Sequence, residues 1–297
     1  VFPYDPASID VLIVTHAHAD HIGRIPKLLH DGFRGVIYST PPTKDLAAVM
    51  LEDALTVMRA EAEKYDHPLC YEHADIEASF RNWQTHGYHE EFVVGDEVTA
   101  TFTDAGHILG SAMITLKRQG KTFLFTGDIG NSPQPLLNPP EVVKGYDYLL
   151  MESVYGDRLH EDVGERSQIL LSYIEDTIRK GGTLIIPAFS LERTQAMLFE
   201  INNFFESGRV KPIPVFLDSP LAIRVTDIYR TYTEYLKDAV RDQIKEGDDI
   251  FDFPKFKMTA TVSESREIEE VRGAKIIIAG SGMSHGGRIL RHEQHLL

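Results

Sequence analysis

Short runs of consecutive apolar residues recur along the chain, and each is followed by a polar or glycine-containing segment. Such runs are typical of strands that are buried on both faces. They predict strands at residues 10–14, 35–39, 147–151, 183–186, 214–217 and 275–279. Between residues 97 and 125 the apolar positions alternate instead, which is typical of half-exposed antiparallel strands. This second pattern predicts strands at 98–103, 111–116 and 122–125.

Other segments have apolar residues at helical spacing. They predict helices at 22–30, 43–63, 167–180, 193–205, 221–235 and from 288 onward. The last three helices each follow a predicted strand and a short loop, and such units imply a parallel sheet covered by helices on both faces. This change of organisation places a domain boundary near residue 160. Residues 65–94 are polar and irregular, and we predict no regular element there. Residues 246–265 are charged and less regular, and we assign no element to them.

The composition is that of an ordinary globular protein, with 297 residues of which 42% are hydrophobic and 25% are charged. The formal net charge of −15 argues against a broad basic surface, although an enzyme acting on nucleic acid needs only local positive charge. A single cysteine, Cys70, and the lack of a membrane-length apolar run predict a cytoplasmic protein without a membrane partner. Because the chain opens at Val1 close to a strand and ends inside a helix, we expect a piece of a longer protein.

Four residues of metal-ligating type follow the first predicted strand within one loop, at His16, His18, Asp20 and His21. Imidazole suits a borderline metal such as zinc, and a carboxylate adds a hard oxygen ligand. His16 and His18 are two residues apart and can turn to the same side, whereas Asp20 and His21 are adjacent and must diverge. The loop therefore predicts two neighbouring metal ions.

Two further candidates, His107 and Asp128, lie at the ends of predicted strands among glycines that allow close backbone approach to something bound. They complete a three-histidine set with His16 and His18, and a mixed set with Asp20 and His21. Asp128 can bridge the two ions, with one carboxylate oxygen on each. Two zinc ions held in this way lower the pKa of a bridging water and create a metal-bound hydroxide that acts as nucleophile.

The motifs His-Ala-His-Ala-Asp-His (16–21), Ala-Gly-His (105–107) and Thr-Gly-Asp (126–128) resemble signature motifs of the metallo-β-lactamase superfamily. Four later segments resemble its β-CASP branch, in particular the prokaryotic relatives of the mRNA 3′-end processing nuclease. These segments are residues 151–158, 186–195, 217–222 and 279–288.

The resemblance implies an α/β protein with two domains. Residues 1–160 would form a partial αββα metallo-β-lactamase sandwich, and residues 161–297 a Rossmann-like β-CASP domain truncated at its C-terminus. The chain lacks the N-terminal hairpin of the family and its last two motifs, each of which carries a histidine. We therefore expect the second of the two zinc sites to be under-ligated.

By the same resemblance, the protein is expected to be a zinc-dependent ribonuclease that hydrolyses RNA phosphodiester bonds. The catalytic residues would be Asp20, which binds the second metal and takes a proton, and Glu152, which accepts a hydrogen bond from a ligand histidine. An exposed strand-end glutamate is the alternative interpretation of Glu152. The resemblance and the helix N-termini also predict contacts with the RNA backbone, from Arg193, Ser281, Gly282 and Arg288. Arginines in a first helical turn are equally often plain surface charges.

Two other functions stay open at this point. One is a metallo-hydrolase of a small ester, lactone or β-lactam, against which the second domain argues. The other is a non-catalytic RNA-binding β-CASP subunit, against which the complete set of six ligand-type residues argues. RNA is the expected partner, and a homodimer is left open.

Overall fold

A computed structural model describes residues 2–158 and 163–296. The chain divides into two compact units, Val1–Ser153 and Val154–Leu297. The boundary predicted from the sequence, between residues 160 and 161, lies outside the described residues. Each unit is an α/β arrangement, which confirms the predicted fold class.

The first unit contains eight strands and four helices among its described residues. They are β1 (Val11–Ile13), α1 (Ala19–Ile22), α2 (Ile25–His30), β2 (Val36–Ser39), α3 (Pro41–Tyr65), α4 (His73–Arg81), β3 (Trp83–Thr85), β4 (Glu91–Gly95), β5 (Val98–Asp104), β6 (Ala112–Arg118), β7 (Lys121–Phe125) and β8 (Tyr148–Leu150). The predicted strands and the long helix α3 are confirmed, although the helix predicted at 22–30 is divided into α1 and α2.

Two sheets face each other in this unit. One is a parallel sheet in the order β1-β2-β3, and the other runs β4-β5-β6-β7-β8 in chain order, antiparallel except for the β7–β8 pair. Their shared core contains Tyr38 from β2 together with Phe92, Phe102 and Ile114 from the larger sheet. This packing explains the alternating apolar pattern at 98–125, because every second side chain of β5 and β6 points into the core.

The prediction that residues 65–94 carry no regular element is wrong, because α4, β3 and β4 lie there. Each of these elements is short and buries few side chains, such as Ile76 in α4, Trp83 in β3 and Phe92 in β4. So few buried positions produce no recognisable periodicity. The helix α4 instead begins at a capping box in which Glu72 and Asp75 satisfy each other's backbone N–H groups.

The second unit contains four strands and six helices among its described residues. They are α5 (Val163–Lys180), β9 (Thr183–Pro187), α6 (Arg193–Glu206), β10 (Val215–Asp218), α7 (Pro220–Thr231), α8 (Asp238–Lys245), β11 (Phe256–Met258), α9 (Val262–Glu270), β12 (Lys275–Ala279) and α10 (Ile289–Leu296). The strands form one parallel sheet in the order β11-β10-β12-β9. The predicted parallel sheet is confirmed.

The edge strand β11 and the first residues of the helix α9 fall in the segment 246–265, to which the sequence assigned no element. The central strands β10 and β12 are buried at every residue and were found as apolar runs. In contrast, β11 is three residues long and only partly buried, so its sequence carries no comparable signal. In the described part of the chain, no helix combines the length and the apolarity that a membrane crossing requires.

Candidate metal centre

The loop after β1 delivers its four candidate ligands in two ways. His16 and His18 precede α1, and His18 occupies the N-cap position of this helix with an extended backbone. Asp20 and His21 lie within α1, where adjacent side chains point about 100° apart. The ends of these two side chains nevertheless approach each other, since His21 Nε2 lies 3.5 Å from Asp20 Oδ2, so the predicted divergence is wrong.

Four of the six predicted ligands gather at one point. The ligand-type atoms of His16, His18, His107 and Asp128 all lie within 4.8 Å of one another. His18 Nδ1 lies 3.1 Å from both His16 Nε2 and His107 Nε2, and Asp128 Oδ2 lies 3.7 Å from His16 Nε2 and 3.6 Å from His107 Nε2. Ligands at about 2.1 Å around a tetrahedral ion are separated by about 3.4 Å. These four atoms therefore fit a single divalent ion.

The other two predicted ligands stand beside this group. His21 Nε2 lies 3.3 Å from Asp128 Oδ1 and 3.5 Å from Asp20 Oδ2. The two carboxylate oxygens of Asp128 thus face different neighbours, Oδ2 toward His16 and His107, and Oδ1 toward His21. All six residues singled out by the sequence are within one cluster.

The electrostatics of the cluster also suit a cation. Burial lowers the pKa of His16 to about 2, with contributions from the neighbouring His21, His18 and His107. Burial and the neighbouring His107 lower the pKa of His18 to about 4. Both rings are therefore neutral at neutral pH, and their nitrogen lone pairs are available to a metal.

The loops that carry the ligands are held against one another at glycines. A Cβ on Gly130 would lie 1.6 Å from the carbonyl oxygen of Gly106, and a Cβ on Gly127, whose φ is +55°, would lie 2.7 Å from Cβ of Thr15. The sequence predicted that these glycines leave room for something bound. The structure shows instead that they let the three ligand-bearing loops touch.

Several residues that the sequence did not indicate support the cluster. The Thr15 hydroxyl lies 3.1 Å from His16 Nδ1, which leaves Nε2 facing the other ligands. Asp104 accepts the Gly106 N–H, and burial raises the pKa of its carboxyl to about 6. Ser111 accepts the His107 N–H. Threonine, aspartate and serine at loop ends are too common to have been singled out, and contacts between distant segments identify them.

Glu152 lies beside the Asp128 loop. Its carboxylate accepts the backbone N–H of Ile129 at 3.2 Å, and its own N–H donates to the Thr126 hydroxyl. These bonds hold the residues on both sides of Asp128. The hydrogen bond from a ligand histidine to Glu152 stays a prediction.

The residues predicted to bind RNA all lie in the second unit. Arg193 opens α6, and its guanidinium is 3.3 Å from the Glu192 carboxylate. Ser281 and Gly282 lie in the loop after β12, where the Ser281 hydroxyl accepts the N–H of His285 and Gly282 packs against Phe189. Contact of these residues with RNA stays a prediction.

Arg288 is bound by other groups of the second unit. Its guanidinium donates to Asp218 Oδ1 at 2.7 Å and to the carbonyl oxygens of Thr259 and Ala260 at 2.8 and 2.7 Å. The carboxylate of Asp218 also accepts a hydrogen bond from His292 Nε2 at 2.6 Å. Arg288 thus ties the ends of β10, β11 and α10 together, and its contact with RNA also stays a prediction.

Fold and site together define a two-unit α/β protein with a divalent metal site in its first unit. The model of the metallo-beta-lactamase superfamily domain matches residues 5–152, and that of the Beta-Casp domain matches residues 194–297. The chain belongs to the β-CASP branch of the metallo-β-lactamase superfamily.

Similar curated proteins have related names. Ribonuclease TTHA0252 of Thermus thermophilus is 34% identical over 294 residues, which cover 99% of this chain and 66% of that protein. The RNase J-like protein of Methanocaldococcus jannaschii is 32% identical, with 97% and 64% covered. Transcription termination factor FttA of Pyrococcus horikoshii is 32% identical, with 97% and 44% covered. The chain thus spans less than two thirds of the length of these relatives.

Proposed function

We propose that this chain carries the metal centre of a zinc-dependent nuclease that hydrolyses RNA phosphodiester bonds. The observation that carries the proposal is the position of Asp128, whose two carboxylate oxygens face two separate groups of ligand-type atoms. The relatives named ribonuclease and RNase J-like protein support RNA as the substrate. A homodimer and a cytoplasmic location stay predictions.

The ligand-type atoms of the cluster favour zinc as the metal and two ions as their number. Three imidazole nitrogens and one carboxylate oxygen are typical ligands of zinc, and His16, His18, His107 and Asp128 would hold the first ion. Asp20, His21 and the second oxygen of Asp128 would hold the other. When bound, such ions lower the pKa of a water molecule and stabilise negative charge on a phosphoryl oxygen.

The residues of the chain would divide the remaining tasks. His16 is buried, and the Thr15 hydroxyl at its Nδ1 fixes the direction of its Nε2. Asp20 has a side chain that is 78% exposed, so its carboxylate is the one in the cluster that substrate and solvent reach most easily. Asp20 would therefore accept the proton released during attack on the phosphodiester. Glu152 would hold the Asp128 loop through the Ile129 N–H.

The test is cleavage of end-labelled single-stranded RNA by the complete protein, with and without zinc, together with zinc content by elemental analysis. Asp128→Ala removes the carboxylate shared by both groups, so we expect loss of cleavage by at least 100-fold and fewer than two zinc ions per chain. Asp96→Ala, the same change in the exposed turn between β4 and β5, should keep both.

Three outcomes would contradict the proposal. Undiminished RNA cleavage by Asp128→Ala would show that the ligand cluster is not needed for catalysis. Turnover of a chromogenic β-lactam without any cleavage of RNA would favour a hydrolase of small substrates. Binding of RNA without cleavage by the zinc-loaded protein would favour the non-catalytic subunit.

A further inference from the structure

The loop between β5 and β6 carries His107, and the side chains at its two ends accept hydrogen bonds from the backbone of the loop itself. At one end, Asp104 Oδ1 accepts the N–H of Gly106 at 2.8 Å. At the other end, Ser111 Oγ accepts the N–H groups of His107 at 3.0 Å and Ile108 at 3.2 Å. Three consecutive backbone N–H groups are thus bound by the two residues that open and close the loop.

This arrangement has a simple backbone cause. Gly106 has a φ of +60°, in the left-handed region. A left-handed residue within a turn lets successive N–H groups point toward the same side, in a concavity that favours negatively polarised oxygens. In this loop the oxygens come from Asp104 and Ser111, so the backbone N–H groups face inward.

The rest of the loop is anchored independently of the Ser111 side chain. The side chains of Ile108 and Leu109 are buried. The hydroxyl groups of Thr40 and Thr43 both donate to the carbonyl oxygen of Gly110, at 2.6 and 3.0 Å. The end of the loop near Gly110 is therefore held by α3, whereas the backbone at His107 itself is held by the Ser111 hydroxyl.

We propose that Ser111 is a positioning residue for His107, and that its hydroxyl sets the direction from which the His107 ring approaches the metal. The proposal rests on the metal site of the proposed function. Ser111 is almost completely buried, so its replacement by alanine leaves the part-buried His107 N–H without this acceptor. The backbone at His107 must then shift to find another partner, and the ring shifts with it.

A shift of this kind weakens metal binding. Residues that orient a metal ligand typically change metal affinity 10- to 100-fold when they are replaced. We therefore expect Ser111→Ala to weaken binding of Co²⁺, used as a spectroscopic probe for zinc, by that factor. The visible absorption spectrum of bound Co²⁺ should also change in this variant, because the spectrum depends on the coordination geometry, which includes the position of His107 Nε2. Ser111→Thr, which keeps the hydroxyl, should restore part of both properties.

The matched control is Thr43→Val on the same loop. It removes a buried hydroxyl that donates to Gly110, but Thr40 still donates to the same carbonyl oxygen. Thr43→Val should lower the thermal midpoint of the metal-free protein while the increase in midpoint on adding Co²⁺ stays at the wild-type value. Ser111→Ala should lower the midpoint and also reduce that increase, because weaker binding stabilises the folded state less.

The outcomes separate the alternatives. Wild-type affinity and spectrum in Ser111→Ala, or an equal loss in Thr43→Val, would overturn the proposal. If Ser111→Ala does not fold, the same measurements on Asp104→Ala decide. That variant removes the acceptor of the Gly106 N–H, together with a longer hydrogen bond from the Tyr88 hydroxyl, and should reduce the increase in midpoint as well. Failure of the wild-type chain to bind Co²⁺ would instead contradict the proposed function.

Discussion

At the scale of single residues, the candidate metal centre depends on small side chains as much as on its ligands. His16, His107 and Asp128 come from three different loops, and their atoms approach within 4.8 Å only because those loops touch. The closest approach between these loops is at Gly130. Its N–H donates to the carbonyl oxygen of Ala105, and its Cα faces the Gly106 carbonyl. A side chain at this position must move the Asp128 loop away from the His107 loop.

We therefore predict that Gly130→Ala destabilises the first unit by about 1–3 kcal/mol and weakens zinc binding. Its Cβ would lie 2.7 Å from the backbone nitrogen of His107, a distance that no side-chain rotation relieves. Thermal unfolding and zinc titration check both effects. Gly95→Ala is the control, because a Cβ there meets no atom of the described residues within 4 Å. Equal behaviour of the two variants would show that the contact has no role.

At the scale of elements, the second unit is organised around the end of β10. The carboxylate of Asp218 is fully buried and accepts hydrogen bonds from four side chains. Those donors are Thr259, Ser265, Arg288 and His292. They come from the segments around β11, α9 and α10, so a single side chain links the carboxyl edge of the sheet to the helices that follow it. Burial alone raises the pKa of Asp218, but these hydrogen bonds outweigh it and hold the pKa at about 2.

The lowered pKa of Asp218 implies that the stability of the second unit depends on pH in acid. The ordinary value is 3.8, so the carboxylate stabilises the fold above about pH 4, and this contribution is lost as the pH falls from about 4 to about 2. A shift of this size corresponds to about 2 kcal/mol. Asp218→Asn should be less stable than the wild type at pH 7, and the difference in unfolding free energy should shrink by about that amount at pH 2. Denaturant unfolding at several pH values measures it.

The matched comparison is Asp176→Asn on α5. Asp176 pairs with Arg179 and Lys180 on the surface of the same unit, and exposed ion pairs of this kind contribute little to stability. A difference between wild type and Asp218→Asn that does not depend on pH would show that the carboxylate is not ionised in the folded protein.

At the scale of the whole molecule, the candidate metal site and the four-stranded parallel sheet β11-β10-β12-β9 belong to different units. All six predicted ligands lie between residues 16 and 128, within the first unit. Binding of a ligand stabilises the segments that it contacts more than the rest of the protein. The metal should therefore act on one unit selectively.

We predict that added Zn²⁺ increases hydrogen-exchange protection around residues 14–22, 104–111 and 126–131, and leaves the strands β9 to β12 unchanged. Exchange followed by mass spectrometry of peptides measures both units in one experiment. The Asp128→Ala variant should show no increase at those three loops. Protection that rises equally in both units would contradict the assignment of the metal to the first unit alone.

Much of this arrangement follows from local pattern. Apolar runs identified β10 and β12 because both strands are buried on two faces, and alternation identified β5 and β6 because one face of each packs in the core. The short elements β3, β4 and β11 were missed because each buries few side chains. The single helix predicted after β10 through residue 235 is divided in the structure, since α7 ends at Thr231 and a separate 3₁₀ helix follows at Thr233–Tyr235.

The sequence by itself determined the α/β class, the parallel sheet and the six ligand-type residues, because hydrophobic period and ligand chemistry are properties of neighbouring residues. Only the tertiary structure decided how Asp128 divides its two oxygens, why the glycines around the ligands are needed, and that Ser111 holds His107 while Arg288 binds Asp218. These contacts join residues up to 112 positions apart at the metal site, as His16 and Asp128 are. Such separations leave no local pattern, because the distance along the chain says nothing about which loops meet.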